Sequence, residues 1–450
     1  MKKEKSAGAP EKTNRKPNRN AVYALIFAAV IIFTFLLGFI VRGAAEKDYS
    51  RKVSEIIKLI DDTSVYYDEK TADEIASRLV KSLLDNDKYA AYYSPEEYKK
   101  ILAEDSGNYS GIGVGFAKGE DDTYDGTIGK VFLNSPAHKK GVKKGDKLIA
   151  GKFKGQSEYS YFQTLISETK TVLQVISEFF TEFDSGEEIN IKVLRGDEEI
   201  AISVEKAEYT VSYVEYKDDV TSCYFSADNG KIVYTGEALN GLSPDTAYIK
   251  LHEFEGGAAT QFGKALEFMK SRNKSRLIID LRDNGGGHIN ILTDILSYLI
   301  NDNGSNNIKI MGIKEKNSES SFMVSANRYN SFLTDVSVIA NGSTASASEA
   351  LIAALNDYGD SAKFGGVNFN LGRLVLTEKH AKRQTYCTYG KGIMQTTYSL
   401  KSGGALILTT AYVYSPISNK CIQDIGIETA VAENCVSDEY AISRADLVLH

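Results

Sequence analysis

Ser346 is the residue of this sequence best placed for nucleophilic chemistry. It follows five strand-like residues, 336–340, and an Asn-Gly turn, and it precedes a small-residue, apolar run of helical length. This pattern predicts a strand-to-helix corner, where unpaired N–H groups and the helix dipole would stabilise an oxyanion. Ser346 and Glu349 also have the spacing of a capping box, which only closes a helix end. This stretch alone leaves both roles open.

The cysteines and histidines offer no competing metal chemistry. Neither set follows a metal-ligand spacing or an H-E-x-x-H pattern, so a zinc hydrolase has no support in the sequence. Cys421 and Cys435 are the closest pair among the four cysteines, and an exported location would permit a disulfide. Which cysteines pair, if any, stays open.

The N-terminal segment predicts a membrane anchor. The chain has 450 residues and a formal net charge of −7, of which residues 1–20 carry +5 and the remainder −12. Residues 21–41 contain no charge, and at about 1.5 Å per residue they span a hydrocarbon core of about 30 Å. The basic flank indicates a single-pass protein of the cell membrane, with a cytoplasmic N-terminus and everything from Arg42 onward outside. A signal peptide cut near 43–45 is the alternative, which the length of the apolar run disfavours.

The composition limits the class of partner. At 42% hydrophobic and 25% charged residues the chain is typical of globular proteins, with room for two or three domains. The acidic body lacks the lysine and arginine surface that phosphate binding requires. We therefore expect no nucleic-acid partner.

Residues 46–105 predict a helical neck beyond the anchor. Val53, Ile56 and Ile60 recur at helical spacing, and Ser94 has the position of an N-cap for a further short helix. The tyrosines that close this region are interpreted as packing residues.

The region 109–206 changes to short strands and turns. It opens with Gly111-Ile112-Gly113-Val114, where glycines between apolar residues let consecutive N–H groups point at one anion. Such a turn could capture a peptide's terminal carboxylate while the peptide adds to a sheet edge. With the later G-D-K-L-I strand, the order resembles a PDZ domain of the protease-associated type, apart from a long stretch at 159–183.

Residues 208–450 alternate strands and helices, which indicates an α/β layered core. Three stretches of this region stand out: I-I-D-L-R-D-N-G-G-G at 278–287, T-A-S-A-S-E at 344–349 and G-K-G-I-M-Q at 390–395. In this order, behind a PDZ-like region, they resemble the C-terminal processing (tail-specific) peptidases, serine proteases of family S41. The resemblance covers most of the exported part and implies a mixed-sheet α/β protease core with the PDZ-like domain inserted ahead of it.

The resemblance also implies roles for individual residues. Ser346 corresponds to the nucleophile, Lys391 to the general base and Gln395 to the residue that orients the lysine. Gly286 and the N–H of Ala347 correspond to the oxyanion hole. Asp357 matches an aspartate near the site, or is a structural acceptor at a helix end. No metal or organic cofactor is implied.

Lys391 can act as a base only if its surroundings lower its pKa. An exposed lysine titrates near 10.4, so its pKa must fall by about 3 units, or about 4 kcal/mol at 1.36 kcal/mol per unit. Without its context Lys391 would be interpreted as a surface lysine in a glycine turn. His288 is a rival base, but nothing in the sequence fixes its tautomer. The chain between Ser346 and Lys391 is longer than is usual in the family, and we interpret the surplus, about 368–387, as a surface hairpin or flap.

These observations predict a membrane-anchored serine endopeptidase that recognises protein or peptide C-termini through its PDZ-like domain and cleaves by a serine–lysine mechanism. The alternative is a catalytically silent exported scaffold that binds peptide tails. A non-peptidase serine acylase is a third interpretation, although the G-x-S-x-G pattern of α/β-hydrolases is absent. Whether the chain forms a homo-oligomer stays open.

Overall fold

A computed structural model describes residues 52–63, 71–105, 108–118, 123–167, 170–226, 230–236, 238–301, 308–323, 328–429, 431–432 and 437–450. The predicted cytoplasmic tail, the predicted anchor at 21–41 and Cys435 lie outside these residues. Within them, no helix combines the length and apolarity needed to cross a membrane. The chain divides into two compact units, Met1–Ile75 and Ala76–His450.

The predicted neck contains helices, but its last part also supplies a strand to one of the sheets that follow. Helices α1 (52–63), α2 (Ala72–Leu83) and α3 (Pro95–Asp105) form where the sequence predicts them. Ser94 and Glu97 cap α3 reciprocally, with Ser94 N–H donating to Glu97 Oε2 at 2.8 Å. Between α2 and α3, the short strand β1 (Ala91–Tyr93) pairs with β20 (Ala405–Tyr414) of a core sheet. The prediction of an entirely helical neck was therefore wrong at this strand.

The region predicted to be PDZ-like forms a six-stranded sheet of its own. Its elements are β3 (Val114–Lys118), β4 (Tyr124–Val131), α4 (Pro136–Lys139), β5 (Lys147–Gly151), β6 (Ser160–Tyr161), a 3-10 turn (Phe162–Leu165), α5 (Val172–Thr181), β7 (Glu188–Arg195) and β8 (Glu198–Glu205). The strand order is β3-β4-β5-β7-β8, with β6 on β5, so β3 lies at one end. Phe162, Ile176 and Phe179 fill its separate apolar core.

A two-stranded ribbon joins this domain to the rest of the chain. Strand β2 (Asn108–Gly111) enters the domain and β9 (Ala207–Thr210) leaves it, paired antiparallel from Asn108 with Thr210 to Gly111 with Ala207. The inserted domain is thus closed by its own entry and exit strands.

An eight-stranded mixed sheet forms the centre of the remaining chain. Its strands are β10 (Val214–Lys217), β11 (Ser222–Phe225), β12 (Ile232–Tyr234), β13 (Thr246–Leu251), β14 (Arg276–Asp280), β17 (Asp335–Ala340), β18 (Leu374–Leu376) and β21 (Val431–Ala432). They are ordered β12-β11-β10-β13-β14-β17-β18-β21, and pairing is parallel from β13 to β21. The predicted α/β core with a mixed sheet is confirmed.

Helices cover both faces of this sheet because its central strands are apolar throughout. On one face lie α6 (Ala258–Ser271), α7 (Ile289–Leu299) and α8 (Ala347–Tyr358); on the other lies α10 (Asp438–Leu447). Ile279 of β14 packs in the first layer and its neighbour Ile278 in the second, as the alternation of a strand requires. Strands β14 and β17 are neighbours, so the loops that follow them meet at one edge of the sheet.

A second, antiparallel sheet carries the Lys391 segment. It contains β1, β15 (Lys309–Glu315), β16 (Glu319–Met323), β19 (Ile393–Ser399) and β20 (Ala405–Tyr414). Strand β19 begins two residues after Lys391 and pairs with β20, with an irregularity between Met394 and Gln395.

The surplus segment at 368–387 is not a surface hairpin, contrary to the sequence interpretation. After α9 (Ser361–Phe364) and a 3-10 turn (Leu371–Arg373), it supplies β18, which pairs with β17 inside the main sheet. Phe369, Leu376 and Cys387 are all buried. Its apolar residues make the segment part of the core.

Candidate active site

Ser346 lies on a strained corner between β17 and α8. Its backbone has φ 57° and ψ −115°, a left-handed conformation that a non-glycine residue rarely adopts. This geometry turns the chain sharply from strand into helix, and the half-buried side chain lines a cavity. The N–H of Ala347, the first residue of α8, has no acceptor among the described residues. The corner therefore offers the hydroxyl and an open donor side by side.

The loop after β14 is hydrogen-bonded to this corner. The Asn284 carbonyl accepts hydrogen bonds from Ala345 N at 3.0 Å and from Ser348 Oγ at 3.1 Å. Thr344 Oγ1 donates to the Leu281 carbonyl at 2.8 Å. These bonds hold the two strand ends together around Ser346.

Gly286 makes the closest approach to Ser346. Its φ is +103°, and a Cβ on it would lie 2.7 Å from Ser346 Cβ and 2.8 Å from Ala347 N, so only glycine fits. Its N–H donates to Asn284 Oδ1 at 2.9 Å, and so it is engaged within the protein in this state. The N–H of Gly287, which lines the same cavity, has no acceptor among the described residues.

Lys391 and Gln395 line the same cavity as Ser346 and are joined to each other. Lys391 Nζ donates to Gln395 Oε1 at 2.8 Å. Gln395 Nε2 in turn donates to the Tyr89 carbonyl at 2.9 Å. The Tyr89 ring also lies under the amine, 5.0 Å from Nζ to the ring centroid. Among the described residues, Gln395 is the hydrogen-bond partner of the amine.

Burial lowers the pKa of the Lys391 ammonium below its ordinary value of 10.5, while the charge of Glu349 opposes that change. Burial also raises the pKa of Glu349, and the hydrogen bonds that its carboxylate accepts oppose this. The lysine environment is thus of the kind that favours a neutral amine.

Glu349 connects the serine corner to the lysine segment. Its side chain is fully buried, and Oε2 accepts from Ser346 N at 3.0 Å and from Lys391 N at 2.9 Å. Oε1 accepts from Gly390 N at 2.7 Å and from Thr388 Oγ1. The sequence suggested a local helix cap for Glu349, and the structure adds a long-range contact to that.

The cavity between these elements has a volume of about 530 Å³. One wall is apolar and is formed by Leu292, Ile310, Met311, Ala350, Ala353, Met394, Val413 and Ile422. Glu253 and Glu255 lie at its edge, and both also line a second cavity. The first cavity can hold a short segment of peptide with an apolar side chain.

The second cavity, of about 840 Å³, is a groove between β3 and α5 and contains Gly111-Ile112-Gly113-Val114. The carbonyls of Ile112 and Gly113 accept from Ala137 N at 2.8 Å and Phe132 N at 3.0 Å. Within the described part of the chain, the N–H groups of Ile112 and Gly113 have no acceptor. The groove thus contains open amide donors and is lined by β3, an edge strand of the sheet of this domain.

The remaining candidate residues lie outside this network. Asp357 Oδ2 accepts from Ile417 N and Ser418 N at 2.8 and 2.9 Å, which makes it a structural acceptor. His288 is exposed at the start of α7 and lines the cavity. Among the described residues, Cys223, Cys387 and Cys421 form no disulfide with one another, and Cys435 lies outside those residues.

Sequence reasoning missed three supporting residues. Tyr89 was interpreted as packing, Asn284 was quoted only as part of the stretch at 278–287, and Thr388 was not considered. Each of these residues contacts a partner that lies at least 39 positions away along the chain, or depends on the conformation of a loop. Only the S-x-x-E spacing of Ser346 and Glu349 carried a local signal.

Comparison with known proteins gives a family match at this site. Residues 245–379, which include Ser346, match the model of peptidase family S41. A probable CtpA-like serine protease of Staphylococcus aureus (strain bovine RF122 / ET3-1) is 22% identical over 417 residues, covering 90% of this chain and 71% of the relative. Its counterpart in strain MRSA252 is 23% identical over 387 residues, covering 84% and 64%.

Two solved structures match the chain over most of its length. The photosystem II D1 C-terminal processing protease is 18% identical, with a TM-score of 0.48 and coverage of 84% of this chain and 86% of that one. A putative S41 protease from Bacteroides fragilis NCTC 9343 is 15% identical, with a TM-score of 0.48 and coverage of 83% and 86%.

The family match and the serine protease relatives define the class of this protein as a serine-type peptidase. The match to peptidase family S41 covers residues 245–379 of the chain.

Proposed function

We propose that the protein is a membrane-anchored carboxy-terminal processing endopeptidase in which Ser346 is the nucleophile and Lys391 the general base. The observation that carries the proposal is the shared cavity: Ser346, on its strained corner, and Lys391, with a lowered pKa, line the same space and share the Glu349 carboxylate. A serine hydroxyl needs a base, and a desolvated lysine can serve as one.

In the first chemical step, neutral Lys391 Nζ takes the proton of Ser346 Oγ as Oγ attacks the carbonyl carbon of the peptide bond. The carbonyl π electrons move to oxygen, and the oxyanion is held by the Ala347 N–H at the start of α8 together with the glycine loop at 285–287. Gln395 Oε1 accepts one N–H of the amine, which leaves the lone pair free to face Ser346.

The second step breaks the C–N bond. The Lys391 ammonium gives its proton to the leaving amine, which departs with the C-terminal fragment and leaves an acyl ester on Ser346. Water, deprotonated by the same amine, then attacks the ester. Release of the acid returns the proton to Ser346 Oγ, so the enzyme is regenerated.

We further propose that the domain at 109–206 acts as a PDZ-like module that binds the carboxyl end of the substrate. Support comes from the open N–H groups of Ile112 and Gly113 and from β3 at the sheet edge, to which a peptide can add as a further strand. Because Glu253 and Glu255 line both the groove and the active-site cavity, a bound tail lies next to the proposed cleavage site. The anchor proposed at 21–41 would tether this activity outside the cell membrane.

The proposal is tested by the cleavage of an unfolded model protein and the mass spectrometry of the fragments. Ser346→Ala should abolish cleavage and labelling by a fluorophosphonate probe without changing the thermal midpoint by more than about 4 °C. Ser343→Ala, which removes an exposed hydroxyl from the same loop, is the matched control and should retain both. Turnover by purified Ser346→Ala protein would refute the assignment.

Two further variants of the assay test the other parts of the proposal. Lys391→Ala should lose probe labelling, whereas labelling that ignores Lys391 would favour the peptide-binding scaffold. A substrate with an amidated C-terminus should have a higher KM than the same substrate with a free C-terminal acid. The amide lacks the carboxylate that the N–H groups of the groove are proposed to bind. Equal KM values would contradict recognition of the carboxyl end.

A further inference from the structure

The Glu349 carboxylate is the point at which the proposed nucleophile and base are physically joined. A single oxygen, Oε2, accepts the backbone N–H groups of both Ser346, which follows β17 of the eight-stranded sheet, and Lys391, which precedes β19 of the antiparallel sheet. The second oxygen accepts from Gly390 N and Thr388 Oγ1, so all four contacts serve either the corner or the lysine segment.

We propose that Glu349 is a positioning residue for peptide hydrolysis, one that sets the distance and direction between Ser346 and Lys391. The inference rests on the proposed serine–lysine mechanism. Glu349 touches neither the substrate nor the reacting atoms, and it acts by holding the backbones that carry them.

The chemistry of the contacts explains why a carboxylate is needed here. An ionised carboxylate only accepts, and it offers about four lone-pair sites, which match the four donors around Glu349. A glutamine would turn one NH₂ group towards two donors and leave N–H groups unpaired in a fully buried place.

The charge of Glu349 indicates that its role is geometric. A negative charge near Lys391 raises the pKa of the amine, which opposes the effect of burial and disfavours the neutral base. If activation of the lysine were all that mattered, this carboxylate would be a handicap. Its contribution must therefore come from holding the two segments in place.

One neighbouring contact makes the same connection without Glu349. The Tyr389 N–H donates to the Thr344 carbonyl at 2.9 Å, which ties the start of the lysine segment to the corner loop. This bond should keep the segment near the site when Glu349 is altered, so that geometry is loosened while the fold survives.

The test compares two substitutions that separate helix capping from positioning. Glu349→Asp keeps a carboxylate at the third position of α8, where it can still accept from Ser346 N, but it is one methylene too short to reach Lys391 N as well. Glu349→Gln keeps the length and removes the charge. Both are measured as the full chain for kcat, KM, the pH dependence of kcat and the thermal midpoint, beside Ser346→Ala and Lys391→Ala.

We expect kcat to fall about 100-fold in both variants with KM changed less than about threefold, as displacement of a reacting group by about 1 Å predicts. In Glu349→Gln the rising limb of the pH profile should also move to lower pH, because a charge that favoured the ammonium is gone. Asp446→Asn is the matched control: it removes another buried carboxylate, which accepts from Ser243 N and Oγ on the far face of the sheet, and it should leave kcat and the limb unchanged.

Suppose that Ser346→Ala and Lys391→Ala are inactive. The inference is then overturned if both Glu349 variants keep the kcat of the wild type and the same rising limb in the pH dependence of kcat. Activity in Ser346→Ala and Lys391→Ala would instead overturn the proposed mechanism. Thr388→Val covers the case in which Glu349→Gln does not fold. It removes one of the four donors to Glu349, and we expect an intermediate loss of kcat. An unchanged kcat would count against the proposal.

Discussion

Gln395 accepts a hydrogen bond from Lys391 Nζ at 2.8 Å while its own amide nitrogen is fixed by the Tyr89 carbonyl at 2.9 Å. The Tyr89 carbonyl therefore fixes the orientation of the Gln395 amide, so that the amide oxygen faces the lysine. The amine can rotate its remaining hydrogens and its lone pair only within that constraint.

Gln395→Glu should move the rising limb of the pH–rate profile to higher pH. The new carboxylate would lie next to Lys391, stabilise the ammonium and raise its pKa, and it would also face the Tyr89 carbonyl without a donor. The measurement is kcat/KM from pH 6 to pH 10. Gln395→Ala is the control, which should lower kcat without that upward shift, and an identical limb in wild type and Gln395→Glu would contradict the orienting role.

The wild-type enzyme should gain activity as pH rises. Lys391, the proposed base, can accept a proton only when it is neutral, so the active fraction should grow as the pH rises through its pKa, which burial holds below 10.5. A plateau should appear below that value in a plot of kcat/KM against pH. Lys391→Arg keeps a cation that does not lose its proton over this pH range, and it should stay inactive across the range. A wild-type profile that falls over the same range would rule out lysine as the base.

Gly286→Ala should inactivate the enzyme, whereas Gly285→Ala should not. At Gly286 a methyl group would lie 2.7 Å from Ser346 Cβ, at a φ of +103°, and must push the corner out of place. At Gly285 a Cβ meets no atom within 4 Å. Cleavage assays and thermal midpoints of the pair check this, and equal activity in the two variants would show that the close approach is not required.

Leu376→Ala should destabilise the protein by about 2–5 kcal/mol, the usual cost of a large-to-small substitution in a core. Leu376 is fully buried in β18, within the segment that the sequence suggested to be a surface flap. Glu378→Ala, two residues on and exposed, should cost less than about 0.5 kcal/mol. Urea unfolding of both variants is the measurement, and equal stabilities would restore the interpretation as a flap.

Local patterns in the sequence predicted the parts of this fold that depend on local physics. The apolar run at 336–340 and the small residues after Ser346 define a strand and a helix, and the corner between them follows. The alternation of such units predicted the α/β core.

Local sequence patterns could not predict the contacts between segments that are distant along the chain. Strand β18 was missed because its three residues are too few for a periodic signal and become a strand only by pairing with β17. The role of Tyr89 was missed because it acts through a backbone carbonyl, which no residue type encodes. The Glu349 contact to Lys391 needs the fold itself, because spacing along the chain gives no hint of it.

The placement of β1 has a consequence for how the enzyme comes into being. Tyr89, two residues before that strand, and Gln395 are 306 positions apart, and β1 is held in place by β20, which is made later still. Under the proposed mechanism, Ser346 is therefore synthesised before Gln395, the residue that orients the Lys391 amine. Cleavage then requires residues 391–414 to be made and β20 to pair with this early segment.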